Sequence, residues 1–466
     1  MAPRTPVEAA QLARLISGWA DDEGESLPAL LGGAIEDLVV ANALPDGTVL
    51  PPQRALASVL GVSRSTVTEA YERLQSAGVL ETRQGSGSRV RRAGSASATR
   101  ADAGRMTSFS DRDAGVVDLS SGALAGLPAV AREYGRLSED DLARVVATDG
   151  YLPGGLPELR AVVARRTTAS GLPTTPEQVL VTSGAQQAVW LVARLLVSPG
   201  DQILVEDPSY RGAIEAFAAC GARLTTVPVR DDGIDVDHVE RLLARGRYRA
   251  IYVQPVAHNP TGTSMPPARR RRLAELAVRH GAVVVEDRCA EDLLLDPALS
   301  PRPLVADVPG VGGIVIGTAS KLLWGGLRVG WVRSAESTVR RLTRIRQGVD
   351  LAGAPVDQLV ATRLLADADG WVDARRRQLT QSLQEVEPLL HRLRPAWRWR
   401  TPTGGVGLWV DTGTDAVALC ARYRRRGVLL VPGPSFSATN GWERHIRIPL
   451  GHATATVADG LSRVDG

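Results

Sequence analysis

The chain has 466 residues, 44% of them hydrophobic, with a formal charge of +4 and three cysteines. That length exceeds what one core ordinarily supports and predicts two or three domains, while the absence of a membrane-length apolar run or a signal-peptide-like start in MAPRTPVEAAQLARL leads us to expect a cytoplasmic protein. Cys220, Cys289 and Cys420 are isolated, odd in number and lack metal-ligand spacing, so neither a disulfide framework nor a metal site is indicated.

The charge is unevenly placed. Residues 1–25, an N-terminal extension, are acidic, whereas residues 83–105 carry Arg83, Arg89, Arg91, Arg92, Arg100 and Arg105 against Asp102, an excess that suits a polyanion. Leu27, Leu30, Leu31, Ala34, Ile35, Leu38 and Val39 recur at helical spacing over 27–43, and the pattern stops at Leu44-Pro45-Asp46-Gly47. A second helix over about 52–60 ends at Gly61, and Ser63 caps a third that runs to about Ala77. A short helix, a glycine turn and a capped helix make a helix-turn-helix. Val79–Arg83 and Ser88–Val90, around the tip Gln84-Gly85-Ser86-Gly87, predict a β-hairpin, hence a wing.

The string LPPQRALASVLGVSRSTVTEAYERLQSAGVLETRQGSGSRV resembles the winged helix-turn-helix of the GntR family of bacterial regulators, which implies a DNA-binding domain over 26–90 and double-stranded promoter DNA as partner. The residue chemistry agrees. Ser63, Arg64, Ser65 and Thr66 open the third helix, where short polar side chains and an arginine at a helix N-terminus suit base edges and phosphates. Arg54 matches the family's backbone-contacting arginine, and Gly85 and Gly87 let the wing's backbone approach the minor groove.

Residues 91–115, rich in Ala, Ser, Gly and Arg, read as a flexible linker. From 116 to 466 short apolar runs alternate with helical patterns: Val179–Thr182, Ile203–Val205, Ala250–Val253, Ala282–Val285 and Gly313–Ile316 are expected strands, with a helix over 267–280 among those between them. Such alternation predicts a parallel-dominated α/β sheet with ligands at the carboxyl ends of its strands. A helical stretch over about 355–392, strands near 406–411 and 445–449 and helices near 414–426 and 453–463 predict a smaller α+β subdomain over about 350–466.

Lys321 is the one lysine among 55 cationic residues. Arginine replaces lysine as a solvated charge, but its guanidinium cannot act as an amine nucleophile. A retained amine points to Schiff-base chemistry with an aldehyde such as pyridoxal 5'-phosphate (PLP), which also needs an anion for its pyridine nitrogen, a cradle for its phosphate and a flat partner for its ring. The candidates are Asp287 after the strand AVVVE, the turn Ser183-Gly184-Ala185 at a helix start, and Tyr210 in EDPSYRG. A strand-end aspartate is otherwise a helix cap, and most strand-to-helix turns bind nothing.

SKLLWGGLRVG, HNPTG and HIRIPLG, in that setting, resemble the fold-type I PLP-dependent aminotransferases. Together with the N-terminal domain the chain resembles a MocR-type regulator of the GntR family over about 27–90 and 118–460. The resemblance implies a multidomain fold: a winged helix-turn-helix, then a three-layer α/β/α domain with a smaller α+β subdomain. It makes Lys321 the Schiff-base lysine, Arg328, Thr318 and Ser320 phosphate ligands, Asn259 the partner of the phenolic oxygen, Asp287 that of the pyridine nitrogen, and Tyr210 the stacking ring. Arg447 would grip the α-carboxylate of an amino-acid-like effector, and Tyr151 would lie near the partner subunit's site in a homodimer. One departure is Cys289, two residues after Asp287, where many relatives carry a tyrosine. Bound PLP with slow turnover is therefore expected: a regulator that senses an amino compound or PLP, or alternatively an aminotransferase with an accessory DNA-binding domain, or a DNA-binding protein that lacks the cofactor.

Overall fold

The computed structural model describes residues 6–20, 26–40, 43–44, 47–76, 79–83, 87–90, 115–299, 302–308 and 312–464. Gln84, Gly85 and Ser86 of the wing tip, nearly all of the linker, the helix end at Ala77 and part of the acidic N-terminus lie outside those residues.

The N-terminal unit is built from α1 (Ala9–Leu15), α2 (Leu27–Val40), α3 (Gln53–Leu60), α4 (Arg64–Ser76) and the hairpin β1 (Leu80–Arg83) and β2 (Gly87–Val90). Gly61 ends α3 in the left-handed region, φ +68°, and Ser63 Oγ accepts the Thr66 N–H at 3.1 Å to cap α4. The hairpin is antiparallel, with Leu80 opposite Val90. The described part of the N-terminal extension is no appendage. Leu12 of α1, with Val7 before it and Ile16 and Trp19 after it, is buried in the same core as Leu31, Leu38, Val67 and Leu74.

The larger unit starts with β3 (Val117–Asp118), α5 (Pro128–Gly135), α6 (Glu139–Val146) and α7 (Pro157–Ala169). Then follow β4 (Val179–Thr182), α8 (Ala185–Leu196), β5 (Gln202–Asp207), α9 (Arg211–Ala219), β6 (Arg223–Arg230), β7 (Gly233–Ile234), α10 (Val236–Arg245), β8 (Ala250–Val253), α11 (Pro267–His280), β9 (Val283–Asp287), β10 (Gly313–Thr318), β11 (Gly330–Arg333) and α12 (Glu336–Gln347). The sheet order is β4-β11-β10-β9-β8-β5-β6-β7. Its centre, from β10 to β6, is parallel, while β11 and β7 run antiparallel to their neighbours. Both faces are covered, one by a core that includes Val189, Val192 and Phe217, the other by one that includes Leu243, Leu273 and Leu276. β4, β8 and β10 are buried at every position, and β5 and β9 at all but end residues, as the continuous apolar runs required.

The expected helix over 355–392 is two helices, α13 (Pro355–Ala366) and α14 (Asp369–Leu393). The smaller subdomain adds β12 (Arg398–Trp399), β13 (Gly407–Asp411), α15 (Ala416–Arg425), β14 (Val428–Leu429), β15 (Val431–Pro432), β16 (His445–Pro449) and α16 (Thr454–Ser462), with β12-β13-β16-β15 as one sheet. β3 pairs with β14, so the segment that follows the linker is woven into this subdomain. Val417 of α15 joins the core of the N-terminal unit, and Arg425 Nη2 donates to Gly18 O at 3.5 Å. No helix among the described residues is long and apolar enough to cross a membrane.

Candidate functional site

Several strands end at one place. β9 delivers Asp287, β10 delivers Thr318, and the loop after β8 delivers Asn259. Register sets Asp287 beside Ile316, so the carboxylate and the Lys321 turn lie on adjacent parallel strands. That turn is fixed from behind by Arg375 of α14, fully buried, which donates to the carbonyls of Leu322 at 2.8 Å, Leu323 at 3.0 Å and Ala125 at 2.6 Å. A buried guanidinium with its donors satisfied is a rigid clamp.

Lys321 Nζ donates to Gly122 O at 3.2 Å. Burial, aided by repulsion from Arg447, pushes its amine down to about 8, against the pull of the Asp287 carboxylate. An amine so shifted is partly neutral near physiological pH, which a nucleophile requires. Asp287 Oδ2 accepts the Tyr252 hydroxyl at 2.5 Å, and its Oδ1 accepts the Cys289 N–H at 2.9 Å. Burial and Asp287 hold both the Tyr252 hydroxyl and the Cys289 thiol well above their ordinary values, so both stay protonated.

Gly184 adopts φ +89°, and a Cβ there would stand 2.7 Å from Arg328 Nη2; a Cβ on Gly330 would stand 2.6 Å from the Gly184 carbonyl carbon. Only glycines permit this approach. Arg328 Nη2 in turn donates to Ser183 O at 2.7 Å. Ser183, Gly184, Ala185 and Arg328 therefore form one cluster at the start of α8, whose Gly184 cap supplies no side-chain hydrogen bond. Thr318 Oγ1 donates to Val329 O at 3.1 Å and accepts the Ser320 N–H at 3.1 Å, which shapes the turn into Lys321. Ser183 Oγ donates to Asp350 Oδ2 at 3.1 Å.

Arg447, buried in β16, donates from Nη2 to Ser120 O at 2.6 Å and from Nη1 to Asn259 Oδ1 at 3.1 Å; its Nε has no hydrogen-bond partner. Tyr210 Oη donates to Gln186 Oε1 at 2.7 Å. Tyr151 is 61% exposed on the loop ahead of α7. Sequence reading missed Tyr252, Arg375 and Gln186, which contact the candidate residues. A tyrosine inside an otherwise apolar buried strand was the available signal for Tyr252, because its hydroxyl must find a partner. Nothing in the pattern marked Arg375.

In the N-terminal unit Ser63 Oγ lies 2.7 Å from Ser65 Oγ and 2.8 Å from Thr66 Oγ1, an exposed hydroxyl group at the start of α4. Exposed Arg54 and Arg64 line one groove of about 760 Å³ with Gln53, Gly87 and Ser88, so the turn's two arginines and the wing base share a face.

The larger site thus offers a buried amine, a carboxylate braced by a tyrosine, a cluster of glycine backbone and arginine at a helix start, and a buried arginine with an unpartnered Nε. That donor set fits PLP: Lys321 for the aldehyde, Asp287 for the pyridine nitrogen, the Ser183–Ala185 turn and Arg328 for the phosphate, and Tyr210 and Asn259 for the ring and its oxygen. A winged helix-turn-helix joined to a fold-type I PLP-binding domain is the class of protein this fold and site define.

Comparison with known proteins agrees. Residues 114–464 match the model for aminotransferase class I and II, and residues 31–90 match that for bacterial regulatory proteins of the gntR family. The chain is 34% identical to the 2-aminoadipate transaminase of Thermus thermophilus over 68% of its own length and 79% of that protein's. It is 28% identical to the uncharacterized HTH-type transcriptional regulator YisV of Bacillus subtilis over 91% and 92% of the two chains, and 31% identical over 63% and 62% to a Rhizobium meliloti protein described as "Probable rhizopine catabolism regulatory protein MocR". Among solved structures, LysN, the α-aminoadipate aminotransferase of Thermus thermophilus complexed with N-(5'-phosphopyridoxyl)-L-leucine, superposes with a TM-score of 0.67 at 32% identity, covering 75% of this chain and 91% of that one. The chain belongs to the aminotransferase class I and II family and carries a GntR-family domain at its N-terminus, the arrangement of MocR-type regulators, and PLP is the cofactor of its larger part.

Proposed function

We propose that the protein regulates transcription: its N-terminal unit binds promoter DNA, and the PLP site in its larger unit senses an amino compound or PLP itself. Bound there, PLP supplies an aldehyde that condenses with amines and a ring that withdraws electrons. Lys321 holds the cofactor's aldehyde end, and Asp287, braced by Tyr252, keeps a proton on the pyridine nitrogen. Arg328 and the Ser183 turn fix the phosphate, and Arg447 orients an effector's carboxylate. Cys289 offers a protonated thiol where many relatives have a tyrosine, which favours binding over rapid turnover.

The observation that carries this reading is the seam between the units. Val417 of α15 is buried in the core of the DNA-binding unit, and α15 belongs to the subdomain that also carries Arg447. A ligand that repositions β16 therefore bears on the element touching α2. Coupling of this kind requires the ligand to favour one arrangement of the two units over the other. The test is a gel shift with DNA flanking the protein's own coding sequence, with and without PLP and amino acids, beside an assay for keto-acid product. DNA binding that responds to ligand, without sustained product, supports the reading; sustained transamination with ligand-indifferent DNA binding supports the second reading, an aminotransferase with an accessory domain, which the complete lysine, aspartate and arginine set and the transaminase relative favour.

A further inference from the structure

The start of the N-terminal extension lies on the face that carries the turn helix. Pro6, Val7, Glu8 and Ala9 line the groove of about 760 Å³ that Arg54, Arg64 and the wing base also line. The Val7 N–H donates to Val49 O at 3.1 Å, and Val49 bridges Arg89 of β2, so this segment is seated against the chain that braces the wing. The other end of the extension is held as well: Leu12, Ile16 and Trp19 are buried in the core of the unit, and Gly18 O accepts from Arg425 of α15. Pro6–Ala9 is therefore a fixed wall of the groove.

Three charged side chains line that groove, Glu8, Arg54 and Arg64, and the floor between them is mainly apolar, with Val49, Pro51 and Pro52. All three are exposed, and among the described residues none of their charged groups has an ion-pair or hydrogen-bond partner. Glu8 stands at the N-cap of α1, yet its carboxylate caps nothing.

We propose that the extension is a third element of the DNA interface, beside the turn helix and the wing, and that Glu8 is a specificity-determining residue that excludes phosphate from one side of the groove. The inference rests on the reading of the N-terminal unit as DNA-binding. Two arginines without an acid partner suit the phosphates of one DNA strand. A carboxylate fixed in the same groove repels a phosphate that docks on its side, over a screening distance of about 8 Å at physiological salt. A non-specific complex is held by phosphates and samples every register along the duplex, so it meets Glu8 in a share of them. A specific complex is fixed by base contacts from the Ser63–Thr66 end of α4, in a register that keeps the strand on the arginines. Glu8 thus penalises wrong registers and spares the right one, which is discrimination by repulsion.

The test is fluorescence anisotropy of the full-length protein on two labelled duplexes of equal length and composition, one from the DNA flanking its own coding sequence and one scrambled. Glu8→Gln should tighten binding of the scrambled duplex by about threefold and leave the flanking duplex nearly unchanged, so that the ratio of the two affinities falls. Glu8→Lys should go further in the same direction. Asp140→Asn, which removes an exposed acid on α6 in the larger unit, should change neither affinity. Unchanged binding of the scrambled duplex in Glu8→Gln overturns the proposal, as does equal tightening on both duplexes or the same effect in Asp140→Asn. Weaker binding of the flanking duplex in Glu8→Gln would make the carboxylate a direct acceptor contact and overturns the exclusion. A native protein that binds neither duplex, or both alike, fails the regulatory reading itself.

Discussion

Arg447 Nη1 donates to Asn259 Oδ1 across 3.1 Å, linking a strand of the smaller subdomain to the loop at the end of β8 in the larger one. On the proposed reading an effector's carboxylate would compete for the same guanidinium, which would join ligand binding to the geometry between the two subdomains at one side chain. Replacing Arg447 with Leu should leave the cofactor bound and abolish its spectral response to amino acids. A loss of at least tenfold in amino-acid affinity follows from removing a buried charge-assisted pair worth about 1.5–3 kcal/mol. Spectral titration with a single amino acid checks this.

The amine of Lys321 should titrate near 8. Burial is the main cause, Arg447 and Arg211 add repulsion, and Asp287 opposes it. A neutral amine is needed to capture an aldehyde, so PLP uptake should accelerate as pH rises toward 8 and level off above it. Arg447→Leu should move that curve to higher pH. The unfolded chain keeps this proton up to about 10.5, so between the two values folded stability rises with pH, and below about 8 the full cost of the buried cation is present. Stopped-flow absorbance across pH 6–10 reads the first effect.

Tyr252→Phe removes the hydroxyl that reaches Asp287 Oδ2 at 2.5 Å. The carboxylate then loses a buried donor at a cost of about 1–3 kcal/mol. A fall in Tm of a few degrees and weaker PLP retention on dialysis are expected.

Much of this was legible in the sequence because the signals were local. The continuous apolar runs specified the central strands, Gly61 and Ser63 specified the turn of the helix-turn-helix, and the solitary Lys321 singled out its own loop. Tyr252 and Arg375 escaped because their roles depend on contacts between residues 35 and 52 positions apart, which no periodicity encodes. The split between α13 and α14 was missed because helical periodicity continues across Asp367 and Ala368. The N-terminal extension was read by its acidity, whereas the apolar side chains of Val7, Leu12, Ile16 and Trp19 decided its place in the core.

Arg64→Ala should weaken DNA binding by roughly tenfold and lower the salt dependence by about one counterion, with the cofactor's absorption unchanged. Val417→Asp, which sets a carboxylate into the seam between α15 and α2, should instead leave both DNA binding and cofactor binding in place and remove the dependence of one on the other. Fluorescence anisotropy on labelled promoter DNA at two salt concentrations separates the two variants.

The most direct measurement is the affinity of full-length protein for DNA flanking its own coding sequence, by anisotropy, with and without PLP and amino acid, in the native chain and in Lys321→Ala. The account predicts that the native protein shifts its affinity about fivefold or more on ligand addition, and that Lys321→Ala binds the same DNA without that shift. An equal response in both proteins, or none in the native chain, would contradict it.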